Sequence, residues 1–228
     1  MAKKKLIRFV ENEKFACLHQ LEAKKLIEDF HPNYGKWAAN CFNNANELVL
    51  ELGCGRGEYA IGMGRLFPTK NFIGYDIKGS RLYFGAKEVH ETGVNNVAFV
   101  RGAIDFIDRV FAREVNEIWI TFPDPFIEKP KRRLTSPFYL NRYLKVLKPG
   151  GIVNLKTDNV ELFDFTNWLV RKNDLKILKI CRNVHAQTDI PEVEAIQTTY
   201  EKKFVAQGKP IHLLRFVLNK AVTMPDAD

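Results

Sequence analysis

A glycine-rich turn flanked by two acids contains the first residues in this sequence that could do chemistry. The turn carries Gly53, Gly55 and Gly57, with Glu51 just before it and Asp76 further along the chain. Glycines are needed where a backbone must turn tightly and approach a ligand closely. The dinucleotide-binding fingerprint is G-x-G-x-x-G, but a glutamate stands at its third glycine position and the spacing here is G-x-G-x-G. The turn therefore predicts a different ligand.

This spacing resembles motif I of the Rossmann-like, S-adenosylmethionine-dependent methyltransferases, and the resemblance implies that cofactor. S-adenosylmethionine carries an ammonium and a sulfonium but no pyrophosphate, so a nearby carboxylate such as Glu51 is favourable. Asp76 ends the second predicted strand, where an acid can accept both ribose hydroxyls. The alternative is an ordinary loop and a surface acid. The succession of strand, turn, helix, strand and terminal acid favours the cofactor site.

A further acid, Asp124, lies between Pro123 and Pro125 at the end of the fourth predicted strand. The two prolines stiffen the backbone and hold the acid outside regular structure. In the Rossmann-like methyltransferase fold that the glycine turn resembles, this strand end faces the methyl group of the cofactor. The carboxylate is therefore a candidate to accept hydrogen bonds from the N1–H and N2–H₂ edge of a guanine. A solvated acid in a proline-rich loop is the alternative.

A basic cluster follows this loop and consists of Lys129, Lys131, Arg132 and Arg133. Because Lys and Arg neutralise phosphates, a basic cluster beside a reaction centre suits a polyanionic substrate. Taken alone, such a run is more often a solvated face. Its place beside Asp124 favours the functional interpretation, in which the segment faces RNA.

Four motifs together resemble those of the tRNA (guanine-N7-)-methyltransferases. They are the Phe122–Pro125 loop, the basic Lys131–Leu134 segment, the Leu155–Asp158 segment and the late Thr198–Glu201 segment. The resemblance covers about Glu47 to Leu218, which is most of the chain. It implies methylation of guanine N7 in tRNA, at the variable-loop guanosine conventionally numbered 46. Nothing in the sequence itself selects one nucleotide.

The resemblance also implies a role for each matching position. Together with the glycine turn, the implied cofactor residues are Glu51, Gly53, Gly55, Gly57, Asp76 and Asp124. Asp124 is in addition the implied catalytic residue. The implied substrate contacts are Asp158, Thr198, Thr199, Tyr200 and Glu201.

The sequence departs from the family pattern in two places. The family often has an acid near the end of the third strand that meets the adenine, but the matching position here is Ala103. Backbone groups at Ala103 and Ile104 are therefore expected to meet the adenine. The loop after Asp124 is shorter than usual and has Phe126 where the family frequently has tryptophan. The family's substrate-contacting lysine falls at Glu128 or, with a one-residue shift, at Lys129, and we assign it to Lys129.

The chemistry of guanine N7 sets what the protein must supply. N7 already has an in-plane lone pair, so no proton has to be removed before it attacks a methyl group. Positioning the two reactants can then account for several kcal/mol, as an order of magnitude. Positive charge moves from sulfur to the guanine ring. A carboxylate near the ring stabilises the transition state because it attracts that developing charge. We interpret Asp124 as an orienting and electrostatic residue, with Asp158 as a second candidate.

Short apolar runs alternating with helical patterns are the elements that must position these residues. Such alternation predicts right-handed βαβ units and a mostly parallel sheet with both faces covered. The expected fold is α/β, a Rossmann-like class I methyltransferase with a seven-stranded sheet. The predicted strands are 48–52, 71–76, 97–100, 117–122, 151–155, 175–180 and 211–218. The predicted helices are 58–66, 81–92, 137–147, 160–173 and 200–206, with Ser136 as the cap of the third.

Residues 1–46 are expected to form a basic, helical extension, with a helix over Phe15–Phe30 and a methyltransferase domain over 47–228. The chain has 228 residues, a net charge of +8 and 46% apolar residues, which is typical of one soluble globular domain. The basic balance favours partners that carry phosphates. We therefore expect tRNA as partner, and the chain as a monomer or homodimer.

Composition and spacing also exclude several classes of protein. No apolar run is long enough for a membrane span, and no signal peptide is indicated, so a cytoplasmic protein is expected. The scattered cysteines and histidines predict neither a metal site nor a disulfide scaffold. Two alternatives remain open. One is amino methylation, whose enzymes have [DNS]-P-P-[YF] after the fourth strand. The other is a non-catalytic RNA-binding protein on the same scaffold.

Overall fold

The computed structural model describes residues 2–20, 23–188 and 190–224. The strands within these residues are, in chain order, β1 (Leu18–Gln20), β2 (Glu47–Leu52), β3 (Lys70–Asp76), β4 (Val97–Arg101), β5 (Val115–Thr121), β6 (Leu147–Thr157), β7 (Ile177–Cys181) and β8 (His212–Val217). They form one eight-stranded sheet in the order β1-β4-β3-β2-β5-β6-β8-β7.

Helices precede, connect and flank these strands. The described α-helices are α1 (Ala2–Asn12), α2 (Ala23–Glu28), α3 (Trp37–Phe42), α4 (Glu58–Leu66), α5 (Gly79–Thr92), α6 (Ile107–Val110), α7 (Pro137–Val146), α8 (Val160–Lys172), α9 (Glu192–Ala195) and α10 (Thr199–Ala206). Buried side chains of α4 and α5 belong to one apolar cluster, and those of α7 and α8 belong to another. The predicted α/β fold with helices on both faces is confirmed.

The sheet topology places the candidate residues at one edge. Strands β1 to β6 pair in parallel, and β8 pairs antiparallel with both β6 and β7. Strand β2 lies between β3 and β5, and the strand order reverses there. In open parallel sheets, ligands bind at the carboxyl ends of the strands beside such a reversal. The glycine turn follows β2, Asp76 is the last residue of β3, and Asp124 lies in the loop after β5.

The sheet has one strand more than predicted, because the predicted helix over Phe15–Phe30 is partly wrong. Leu18–Gln20 forms β1, which pairs in parallel with β4 and aligns Leu18 with Phe99. The pairing covers the otherwise open edge of β4, and Leu18 is only 7% exposed. Within the described residues, the helix of this segment covers Ala23–Glu28. The helical pattern was counted from apolar residues that include Ile27. This side chain is 64% exposed, so it does not belong to a buried helix face.

Alternation along the central strands decides which side chains meet. On β5, Ile118 and Ile120 pack in the cluster with α7 and α8, whereas Trp119 packs in the cluster with α4. Side chains on a strand alternate between the two faces of the sheet. Thr121 therefore lies on the same face as Trp119, and Glu51 lies on the same face as Val49. This parity brings Glu51 and Thr121 together beneath α4.

Candidate active site

The glycine turn has a backbone that only glycine adopts readily at three positions. The φ angles of Gly53, Gly55 and Gly57 are +71°, +59° and +74°. A Cβ at Gly57 would lie 2.2 Å from a ring carbon of Phe99, so packing as well as φ requires glycine there. At Gly55, no heavy atom lies within 4 Å of such a Cβ. The turn is thus packed below and open above, which fits a backbone that cradles a ligand.

Asp76 is held in place by the turn and by the chain that follows it. Its Oδ2 accepts a hydrogen bond from the Gly55 backbone N–H at 2.8 Å, and its Oδ1 accepts one from the Lys78 N–H at 2.7 Å. The residue is 7% exposed. Each carboxylate oxygen can accept a further hydrogen bond, since an ionised carboxylate has about four acceptor sites. The carboxylate is therefore oriented and retains capacity for ribose hydroxyls.

Glu51 connects three elements beneath the turn. Its Oε1 accepts the Thr121 hydroxyl hydrogen bond at 2.6 Å, and its Oε2 accepts the Ala60 backbone N–H at 2.9 Å. The residue is 1% exposed. Burial raises the pKa of Glu51 to about 8, and the two hydrogen bonds oppose that rise. A buried carboxyl of this kind suits a cationic ligand, which would favour its ionised form.

The Asp124 loop is strained on both sides of the acid. Phe122 has φ +48° and Phe126 has φ +41°, a region that side chains other than glycine rarely adopt. The Phe122 N–H donates to the Lys156 carbonyl at 2.8 Å, which anchors the start of the loop to β6. Asp124 itself is exposed. Strained backbone of this kind is often found at active sites, where the surrounding structure fixes an exposed functional group.

Three of the four basic residues after this loop are exposed, namely Lys129, Lys131 and Arg132. Arg133 is buried, unlike these three residues, and its contact with RNA stays a prediction. It is only 5% exposed, its Nε donates to the Pro125 carbonyl at 2.8 Å, and its guanidinium lies 4.5 Å from the centre of the Phe165 ring. The fork of donors on an arginine suits such a backbone contact. Arg133 therefore holds the Asp124 loop.

Comparison with known proteins identifies the family. Residues 45–214 match a family model described as "Putative methyltransferase". A tRNA (guanine-N(7)-)-methyltransferase of Christiangramia forsetii is 46% identical over 219 residues, covering 94% of this chain and 98% of that protein. The chain belongs to this family. The methyltransferase of the same name from Porphyromonas gingivalis is 44% identical, over 90% of this chain and 83% of that protein.

Solved structures show the same fold at low sequence identity. The 16S rRNA methyltransferase KamB superposes with a TM-score of 0.63 and 15% identity, covering 84% of this chain and 95% of that chain. Phosphoethanolamine N-methyltransferase 2 of Haemonchus contortus, solved with S-adenosylmethionine, gives a TM-score of 0.51 over 87% of this chain and 53% of that chain. The class I methyltransferase fold is confirmed, and S-adenosylmethionine is the cofactor of this methyltransferase.

The predicted contact of Glu51 with the cofactor leads to a measurable proton release. With the pKa of Glu51 at about 8, its carboxyl is mostly protonated at pH 7 in the free protein. A bound cation favours the carboxylate, so binding lowers this pKa and we expect about one proton to be released at pH 7. Affinity that depends on Glu51 should accordingly rise as the pH approaches 8 and level off above it.

Calorimetry in buffers of different ionisation enthalpy counts this proton. Glu51→Gln is the control, because the amide keeps the shape of the side chain but cannot titrate. We expect the variant to release about one proton fewer, on the same reasoning. Equal proton release by both proteins would contradict the assignment of Glu51 to the cofactor site.

The end of β4 in the methyltransferase differs from the common family pattern as the sequence indicates. The Ala103 carbonyl accepts the Tyr75 hydroxyl hydrogen bond at 3.0 Å, and Ile104 packs partly buried against the core. Asp105 is exposed, and its carbonyl accepts from Arg142 Nε at 3.0 Å on the side of α7. Recognition of the adenine by Ala103 and Ile104 stays a prediction.

The Thr198–Glu201 segment, which is predicted to contact substrate, is tied to the helix that follows the glycine turn. Thr198 caps α10 by accepting the Glu201 N–H at 3.2 Å. The Thr199 backbone N–H and hydroxyl both donate to the Glu58 carboxylate, at 2.6 Å and 2.5 Å. Glu58 begins α4, directly after the turn. The start of α10 is thus placed beside the cofactor loop, with Tyr200 51% exposed.

Glu201 and Asp158, both predicted substrate contacts, lie in different environments. Asp158 is partly exposed and pairs with Lys209 at 3.4 Å. Glu201 is fully buried, which differs from the expectation of a surface contact. Its Oε1 lies 2.8 Å from Lys156 Nζ and 2.7 Å from His185 Nε2. A direct contact of Glu201 with substrate stays a prediction, and in this structure Glu201 supports the segment from beneath.

Sequence reasoning missed the most connected side chain of this region, Lys156. Its Nζ also donates to the carbonyls of Glu194 at 2.7 Å and Ile196 at 3.0 Å, and the residue is fully buried. It thereby ties the chain before α10 to β6. The available signal was alternation along the strand, because Lys156 lies two residues before Asp158 and follows the apolar residue Leu155. Ser136 occupies the N-cap position of α7 as predicted, but its hydroxyl donates to the Lys131 carbonyl and makes no capping hydrogen bond to the helix.

The described residues contain neither a candidate metal site nor a helix that could span a membrane. Among the described residues, no group of three or more His, Cys, Asp or Glu side chains could hold a metal ion. Within the described ranges, no helix has the length and apolar character needed to cross a membrane.

Proposed function

We propose that this protein transfers a methyl group from S-adenosylmethionine to N7 of a guanine in tRNA, at the variable-loop guanosine numbered 46. The observation that carries the proposal is the pairing of β2 with both β3 and β5. It brings the glycine turn, Asp76 and the exposed Asp124 to one edge of the sheet. The relatives that are named tRNA (guanine-N(7)-)-methyltransferases support the substrate.

The reaction requires the protein to position the two reactants and to stabilise the positive charge that develops on the guanine. S-adenosylmethionine supplies an electrophilic methyl group, and guanine N7 supplies a lone pair that needs no base. The rigid Asp124 loop holds a carboxylate where it can orient the guanine and stabilise the positive charge that develops on the ring. Asp124 also lies at the cofactor side of the pocket in this proposal. Glu51, Gly53, Gly55, Gly57 and Asp76 hold the cofactor, with backbone groups of Ala103 and Ile104 at its adenine.

The substrate lies across the pocket mouth in this proposal. Lys129, Lys131 and Arg132 are exposed beside the Asp124 loop and neutralise phosphates. Asp158 and the start of α10 contact the nucleoside. The cytoplasm, where tRNA is used, stays the predicted location. We expect a monomer or a homodimer, and sedimentation analysis distinguishes the two.

Methyl transfer to unmodified tRNA transcripts tests the proposal. Labelled S-adenosylmethionine and nucleoside analysis of the product identify the modified base. We expect 7-methylguanosine, and we expect it to disappear when guanosine 46 is replaced by another nucleotide. A different methylated nucleoside would favour an amino methyltransferase. No transfer and no cofactor binding would favour a non-catalytic RNA-binding protein.

Asp158→Ala is expected to act on the use of tRNA. Removing one hydrogen-bonding group from the substrate side costs about 1–3 kcal/mol, so the KM for tRNA should rise roughly 5- to 150-fold. Cofactor affinity should stay unchanged. Steady-state kinetics with varied tRNA measures the effect, and Glu161→Ala, an exposed acid at the start of α8, is the matched control. Normal kinetics of Asp158→Ala would contradict its assigned role.

A further inference from the structure

Two arginines from distant parts of the chain stack on one aromatic ring beside the glycine turn. The guanidinium of Arg56, within the turn, lies 4.6 Å from the centre of the Phe84 ring. The guanidinium of Arg8, from α1, lies 4.5 Å from the same centre. Phe84 belongs to α5. These three residues, which we call the Phe84 cluster, join α1, α5 and the cofactor loop.

The backbone beneath the Phe84 cluster is fixed by close packing. A Cβ at Gly85 would lie 2.4 Å from the Arg56 carbonyl oxygen, so α5 lies directly against the turn at this point. On the other side, the buried Asn12 side chain donates to the Gly79 carbonyl at 2.9 Å and anchors the end of α1 to the start of α5. The two guanidinium groups are therefore positioned by the fold.

The Phe84 cluster carries two positive charges that take part in no ion pair within the described part of the chain. Within that part, neither Arg8 nor Arg56 forms an ion pair with a carboxylate, and Arg56 is exposed. Stacking uses the face of a guanidinium and leaves its edge, with the N–H donors, free to bind. Two such edges near one ring suit an anion with several acceptor oxygens, such as a phosphate.

The ring of the Phe84 cluster lies on the same helix, α5, that contacts the predicted substrate segment at the start of α10. Arg81, in the first turn of α5, lies 6.0 Å from the centre of the Tyr200 ring at the start of α10. The cluster is thus linked by α5 to the late substrate segment. The exposed basic residues 129–132 follow β5, on the other side of β2 from β3 and α5. The pocket mouth therefore has basic groups on both sides.

We propose that the Phe84 cluster binds a backbone phosphate of the RNA substrate, on the side of the pocket opposite residues 129–132. The inference rests on the proposed function for the identity of the RNA. It assigns Arg8 of α1 and Arg56 of the glycine turn to substrate binding. The two sides together hold the RNA backbone across the pocket. Phosphate contacts position a nucleic acid without reading its sequence, so the cluster contributes affinity and register.

The salt dependence of tRNA binding tests this inference directly. Each phosphate contact contributes about 0.7–0.9 to the slope of log K against log salt concentration. We expect Arg56→Gln and Arg8→Gln each to weaken binding of unmodified tRNA and to lower the magnitude of the slope by about that amount or less, since both serve one phosphate. Arg56→Lys should retain most of the slope because it keeps the charge.

The matched control is Lys148→Gln. Lys148 is exposed near the start of β6, at the opposite edge of the sheet from the glycine turn, and its replacement should leave the slope unchanged. Thermal unfolding of each variant shows that the fold is retained. If Arg8→Gln loosens α1, Arg56→Gln still tests the cluster alone. An unchanged slope in Arg56→Gln, or an equal loss in Lys148→Gln, would overturn the proposal.

A second readout separates the RNA from the cofactor. Calorimetry should show equal S-adenosylmethionine affinity for the wild type and Arg56→Gln. A large loss there, with an unchanged slope for tRNA, would assign Arg56 to the cofactor carboxylate and overturn the proposal. Because binding is measured without turnover, a failure of the proposed function is seen separately, as wild-type protein that binds tRNA but forms no 7-methylguanosine.

Discussion

Asp124→Asn is expected to lower kcat for methyl transfer about 100- to 1,000-fold while cofactor binding is retained. Removing one preorganised electrostatic group from a transition state typically has an effect of this size. The asparagine keeps the shape of the side chain but lacks the negative charge that stabilises the developing cation. The strained residues Phe122 and Phe126 hold the loop in the same place in both proteins.

Single-turnover methylation at saturating tRNA measures this effect, and calorimetry measures cofactor binding separately. Glu128→Gln is the matched control, because Glu128 is an exposed acid of the same loop. Its rate should remain close to that of the wild type. A rate for Asp124→Asn that equals the wild-type rate would refute the electrostatic role of Asp124.

Lys156→Met is expected to destabilise the protein by about 3–5 kcal/mol. Removing one partner of a buried ion pair leaves an uncompensated charge, and that loss is of this size. Here the charge is Glu201, which is fully buried and already has one oxygen, Oε2, without a hydrogen-bond partner. Burial lowers the pKa of Lys156, and the Glu201 carboxylate opposes that shift. The carbonyls of Glu194 and Ile196 also lose their donor.

Denaturant unfolding measures this loss, and a double variant identifies its cause. Lys156→Met combined with Glu201→Leu removes both charges, so we expect it to recover a large part of the stability. Lys145→Met is the control, because its pair with Asp108 has a lysine side chain that is 65% exposed. Exposed pairs contribute about 0–1 kcal/mol. A loss for Lys156→Met no larger than that of the control would show that the buried pair does not hold α10.

The central strands and the glycine turn were predictable because their signals are local. Runs such as 48–52 and 71–76 are mostly apolar and lack strict alternation, as expected for strands covered on both faces. Glycines at alternate positions can be recognised without partners, since a positive φ is a property of single residues. The family motifs likewise lie in short continuous segments.

Other features could not be predicted because they depend on partners far away in the sequence. Strand β1 has three residues and exists because it pairs with the edge of β4. Arg133 stands in a run of basic residues, and only the carbonyl of Pro125 and the ring of Phe165 distinguish it from its exposed neighbours. Whether such a side chain is exposed is decided by packing across the sheet.

The sequence by itself determined the α/β class, the parallel central strands, the glycine turn and the positions of Asp76 and Asp124 at or after strand ends. These follow from local hydrophobicity, backbone preference and motif spacing. Only the tertiary structure decided that Lys156 and Glu201 form a buried pair, that Glu58 ties Thr199 to the cofactor turn, and that Arg8 and Arg56 meet on Phe84. The physical reason is that burial, ion pairing and stacking are contacts between residues that only folding brings together.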